Sequence, residues 1–331
     1  MKAAILLSLL LVIPPSGGAQ GLNAAIELYE HGKFHAAAKT LSDLSQKDLK
    51  DANLRIWLGK TYLKLRRWDD AIKELEKAVD IDPKNSLYHL WLGRAYGYKA
   101  DHASLLGRVL LIGNFRVMDL VGKVQKEFET AAQLSPDDID IRFDLLEFYA
   151  QAPGILGGGK DKAEAQAREI ARLSPRLGYT ARAEIYEHGK EWERARNELV
   201  QATVKFPNDA DGYVDLAEFL LERPDFEETA ANAQKALALD GSIRKARLYL
   251  AAAQIGMHRN LPGALQALQE LAAGPLTDDD PAFEEVFYWL GQAYSAQGQM
   301  TQARQAFKTS LGFDPDYSMS KEALQRIRQL P

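Results

Sequence analysis

Two stretches decide the fold: "WLGKTYLKLRRWDDAIKELEKAVDIDP", residues 57–83, and "WLGQAYSAQGQMTQARQAFKTSLGFDP", residues 289–315. Both read W-L-G-x-x-Y, carry a small residue nine positions after the tyrosine and an apolar one four later, and end in Asp-Pro. A third opening, "WLGRAYGYK", begins at Trp91. Such internal similarity marks a repeat architecture, in which a unit too small to bury its own apolar face is stabilised by stacking on its neighbours. The closing proline stops one helix before the next begins.

The pattern resembles the tetratricopeptide repeat, a helix–turn–helix unit of 34 residues. In that frame, units start near Gly18, Ala52, Ser86, Ile139, Arg176, Ala210, Lys245 and Glu284. The small residue where the two helices cross falls at Ala37, Ala71, Ala163, Ala195, Thr229, Ala264 and Ala303, with the larger Val124 in the third unit. The resemblance implies an all-α, right-handed superhelix (an α-solenoid) of about eight units over residues 20–317. The amphipathic stretch 318–331 would cap it. The third unit carries about 19 extra residues, near 97–123, and the fourth is lengthened by the glycine stretch "APGILGGGKDK". The apolar insert is expected to lengthen both helices of its unit. The other reading is an exposed tip that contacts a partner or a membrane surface.

The glycine stretch imitates a phosphate loop. Gly154, Gly159 and Lys160 satisfy G-x-x-x-x-G-K, but a helix precedes it and Asp161 stands where a magnesium-binding hydroxyl is needed. An enlarged inter-helix turn accounts for it, and no nucleotide is expected. The six histidines are scattered apart from His31 and His35, which Gly32 separates, so no metal site is expected. Acidic pairs such as Asp69-Asp70 sit at helix starts, where they complement the helix dipole. A catalytic group, were there one, would come from Asp101, His102 and Asp119 in the insert; no enzymatic role and no cofactor are expected.

Composition narrows the class further. The chain has 331 residues, no cysteine, and a net charge of −5, which excludes thiol chemistry and gives no overall basic signal for nucleic acid. Its first 19 residues join Lys2, an apolar run from Ala3 to Ile13, a Pro14-Pro15 break, and small residues at Gly17 and Ala19. They read as a signal peptide cleaved after Ala19, for a periplasmic or secreted protein. An uncleaved segment would instead tether the chain to an envelope or polymer-export assembly.

In tetratricopeptide arrays, positions 2, 5, 6, 9 and 13 of each first helix line a concave groove that receives extended segments or helices of partner proteins. Carried over, these positions offer Trp57, Lys60, Trp91 and Arg94 in units 2 and 3, Asp144 and Glu147 in unit 4, Asp215 and Glu218 in unit 6, and Trp289 in unit 8. The asparagines of the chaperone-binding carboxylate clamp are missing, since Trp57 and Trp91 occupy their places. Residues 18–136 hold 18 basic and 15 acidic side chains, and residues 137–331 hold 22 and 31. The expected role is a non-enzymatic adaptor, with aromatic anchors at one end of the groove and carboxylates that suit a basic or mixed-charge partner further on.

Overall fold

The computed structural model describes residues 17–110 and 114–329. Among these residues there are seventeen α-helices and no strand. They pair as α1 (Gly17–Glu30) with α2 (Phe34–Lys47), α3 (Ala52–Lys64) with α4 (Trp68–Ile81), α5 (Ser86–Leu110) with α6 (Asn114–Leu134), and α7 (Ile139–Gln151) with α8 (Lys160–Leu173). The succession continues through α9 (Leu177–His188), α10 (Trp192–Lys205), α11 (Ala210–Leu221) and α12 (Phe226–Leu239). It closes with α13 (Arg244–Gly256), α14 (Leu261–Ala273), α15 (Phe283–Ala296), α16 (Met300–Phe313) and an unpaired α17 (Ser318–Gln329). Most of the expected leader, residues 1–16, lies outside the described residues, and Gly17–Ala19 begin α1.

The W-L-G signature shows its physical purpose in the packing. A Cβ at Gly59 would lie 2.5 Å from Leu75, and one at Gly93 would lie 2.5 Å from Phe128, so in these two units glycine lets the second helix come this close. The crossing residues are sealed in: Ala37, Ala71, Ala163, Ala195, Thr229 and Ala303 have no exposed surface. Aspartates 51, 138, 209 and 225 cap their helices by accepting backbone N–H bonds, a contribution of about 1 kcal/mol each. Odd-numbered helices also touch the next odd one, as α7 does α9, α11 does α13 and α13 does α15, which makes them the inner layer of a superhelix. On α17, Ala323, Leu324 and Ile327 are buried against the last pair.

The extra residues of the third unit lengthen both its helices, to 25 residues in α5 and 21 in α6. Leu120, Val124 and Phe128 on α6 are buried in the shared core. Beyond them Phe115 is 89% exposed and Met118 is 45% exposed, and the turn at 111–113 lies outside the described residues. No described helix is long and apolar enough to cross a membrane.

The array closes on itself. Tyr29, Phe34 and Ala37 of the first unit share one buried cluster with residues of α15, α16 and α17. The Phe34 ring stands edge-on to Phe283 at 6.1 Å and to Phe313 at 6.0 Å. Arg66 reaches from the second unit to Asp314 and Asp316, both at 2.5 Å. The Leu276 N–H, in the connection between α14 and α15, donates to the Glu30 carbonyl at 2.7 Å.

Candidate partner-binding groove

Helical periodicity puts Trp57 and Lys60 of α3 on one face, with Trp91 and Arg94 in the same relation on α5. The inner layer brings all four together. The Lys60 ammonium lies 4.1 Å from the centre of the Trp57 ring and 4.6 Å from that of Trp91. Arg94 covers Trp91 at 4.7 Å and donates from Nε to Asp144 at 2.6 Å. Each such cation–aromatic contact stabilises by roughly 0.5–2 kcal/mol, more where water is excluded. Lys60 is only 8% exposed, and its charge is met by Asp278 at 2.5 Å, whose other oxygen accepts from the Tyr29 hydroxyl at 2.8 Å. Burial alone would raise the Asp278 carboxyl, but Lys60, the Tyr29 hydroxyl and Lys64 hold it below the usual range.

Sequence reasoning did not find Asp278. It lies in the long connection between α14 and α15, 245 to 283 in the repeat frame, a unit of 39 residues where 34 is standard. Those five surplus residues are the signal that a connection here reaches away from its own unit.

Past Asp144 the inner face is acidic and open. Glu147 and Glu218 are exposed, while Asp215 accepts from Arg176 at 2.9 Å and from the Thr180 hydroxyl at 2.8 Å. Two further glutamates belong to this floor. Burial, together with Glu147, Glu187 and Asp144, pushes the Glu184 carboxyl of α9 up to about 8. Burial, with Glu218 and Glu284 beside it and Lys245 opposing, pushes Glu285 of α15 up to about 7. Glu184 occupies the ninth position of the fifth unit, the frame position held elsewhere by Lys60, Arg94, Glu147 and Glu218, so carrying the frame through that unit reveals it. Arg223, which follows α11, is already engaged by Glu187 at 3.0 Å and Glu222 at 3.3 Å. Trp289, by contrast, is 8% exposed and packs edge-on against Tyr288 at 5.1 Å within the core.

The glycine stretch forms a single 3-10 turn, Gly154–Leu156, and then Gly157 and Gly159 take positive φ angles of 93° and 149°. Its amides turn back onto the protein: Gly158 N–H donates to the Pro153 carbonyl and Gly159 N–H to the Tyr149 carbonyl at 2.8 Å. These N–H groups are therefore spent, where a phosphate cradle would aim them outward. In the insert, Asp119 pairs with Lys123 at 3.1 Å and the His102 ring lies 6.4 Å from that of Trp68. No group of three or more His, Asp or Glu among the described residues is placed to hold a metal ion.

Two segments match family models described as tetratricopeptide repeat, residues 28–94 and 284–317. The chain is also similar to anaphase-promoting complex subunit 3 of Dictyostelium discoideum, 33% identical over 76 residues, which is 23% of this chain and 8% of that protein. Among solved structures, yeast Tom70 aligns over 99% of this chain and 66% of its own, at 14% identity and a TM-score of 0.59. A thermophilic tetratricopeptide protein of Thermus thermophilus aligns over 62% of this chain and 99% of its own, at 22% identity and a TM-score of 0.48. The chain therefore carries tetratricopeptide repeats at both ends of a superhelix of that architecture. Such repeats are protein–protein interaction modules and are generally not catalytic.

Proposed function

We propose that this protein is a non-enzymatic docking scaffold whose acidic inner face receives a Lys- or Arg-bearing segment of a partner protein. The observation that carries this reading is the run of acidic side chains along the inner face, Asp144, Glu147, Glu184, Asp215, Glu218 and Glu285, where burial first and the neighbouring carboxylates second push the Glu184 carboxyl up to about 8 and that of Glu285 up to about 7. A cationic side chain entering the floor removes that mutual repulsion, so part of the binding free energy comes from relieving a cost present in the free protein. Trp91, already flanked by Lys60 and Arg94, would border the docked segment at the opposite end.

The proposal extends to compartment: export across a cytoplasmic membrane with loss of the first 19 residues. Intact-mass measurement of the purified protein tests this part separately.

The groove reading is tested by photo-crosslinking in cells from a probe at Glu218, with a probe at Lys235 on the outer helix α12 as control. An adduct from Glu218 that is absent from Lys235, and lost on Glu147→Lys with Glu184→Lys, supports the acidic floor. The same adduct from both positions would sink it.

A further inference from the structure

The connection from Gly274 to Ala282 sits against units 1 and 2 in the manner of a bound peptide. It is not helical, and three features mark it as docked. The Leu276 N–H donates to the free carbonyl at the C-terminal end of α1, Glu30, at 2.7 Å. The Leu276 side chain is 3% exposed and joins the cluster that also holds Tyr29 and Phe34. Two residues on, Asp278 delivers its carboxylate to Lys60 and Tyr29. A main-chain bond and an apolar anchor from Leu276, and a charge from Asp278 two residues on at the start of a turn, are the kinds of contact by which a groove recognises a peptide. Asp280 fixes the shape of the stretch by accepting from the Thr277 N–H at 2.9 Å, the Thr277 hydroxyl at 3.0 Å and Arg244 at 2.7 Å.

The receiving site is matched to a carboxylate. Lys60 lies between two indole rings, so any occupant of this end must supply the negative charge that keeps its ammonium from being buried alone. The acidic floor that begins at Asp144 asks for the opposite sign. The groove thus has two subsites, and only the first is filled by the chain itself.

We propose that the 274–282 connection is a ligand held in cis, occupying a subsite on units 1 and 2 that an acidic, extended segment of a partner protein takes by displacing it. This rests on the groove-docking reading and adds a second specificity to it. The tether gives the connection an effective concentration of ~mM, so a short free peptide competes poorly until the tethered copy is weakened.

The absence of cysteine makes the test clean. The full chain carrying His35→Cys and Lys308→Cys, two exposed positions either side of the seam, is labelled with nitroxides for distance measurement. The probe is the peptide GPLTDDDPAF, residues 274–283, with a fluorophore. Wild type should show one narrow distance and bind the peptide with a Kd of ~mM or weaker. Asp278→Lys should broaden the distance and bind the peptide at least tenfold tighter. Lys60→Glu with Asp278→Lys should restore the narrow distance and abolish the gain. If Asp278→Lys does not fold, Asp278→Asn is read the same way. The proposal is overturned if the seam opens without peptide binding, if it stays narrow in the single variant, or if a peptide with Asn in place of Asp278 binds equally well. Failure of the acidic-floor reading shows elsewhere, as the same adduct from the Glu218 and Lys235 probes, and leaves these results untouched.

Discussion

Replacing Glu184 by glutamine removes a strongly perturbed carboxyl of the inner face while keeping its shape. In the folded chain this carboxyl titrates at about 8, against the ordinary value of 4.5. Between those values the folded protein holds a proton that the unfolded chain has released. Stability must therefore fall as pH rises through this interval, and the contribution is lost once pH passes about 8. At about 1.4 kcal/mol for each tenfold difference in proton affinity, the full effect is at most about 5 kcal/mol. With 29% of its side chain open to solvent, screening reduces this to about 2–3 kcal/mol. Glutamine, which never ionises, should match wild type near pH 5 and exceed it by about 2–3 kcal/mol at pH 9. Urea unfolding of both proteins across this range isolates the one group, because Glu285 and the other carboxyls titrate in both. An equal gap between the two proteins at pH 5 and pH 9, or a gap that favours wild type at pH 9, would refute the reasoning.

Three further outcomes follow from the packing and the charges. Glu74→Ala should cost about 3–5 kcal/mol in urea unfolding, since it strips Arg55, whose side chain is 7% exposed, of its 2.7 Å partner; Arg55→Met with Glu74→Leu should recover most of the loss. Gly59→Ala should destabilise by about 1–3 kcal/mol despite alanine's better helix propensity, because the added methyl meets Leu75 at 2.5 Å; a neutral or stabilising result would mean that Leu75 yields. A lysine-rich partner segment docked on the acidic floor should release protons at pH 7, seen as a buffer-dependent heat in calorimetry, and should bind more weakly as salt rises.

The fold was legible because the repeat writes its packing rules into residue size. Ala71, Ala195 and Ala303 had to be small, and Gly59 had to be glycine, whatever the protein binds. Even the insert followed, as longer helices rather than a new domain. The aromatic–basic cluster of Trp57, Lys60, Trp91 and Arg94 could be drawn from frame positions alone, since a shared position on neighbouring first helices means a shared wall. Two things could not be drawn that way. Trp289 holds the same position as Trp57 and Trp91, yet it is buried, with the Tyr288 ring against it, in the cluster that joins the last helices to the first unit. Asp278 meets Lys60 only after the whole array has turned, and a frame that compares adjacent units is blind to a contact more than two hundred residues long.

That long contact also changes how the array should come apart. In an open solenoid each terminal unit has one neighbour, so the ends fray at little cost and unfolding creeps inward. Here the first unit leans on both the second and the eighth, and the chain behaves as a line joined end to start. Losing any single unit then breaks two interfaces, and no helix pair is a privileged starting point. Amide exchange in α2 and α16 should be as slow as in α11, and the melting of the whole array should sharpen into one transition that splits in two once the seam is cut.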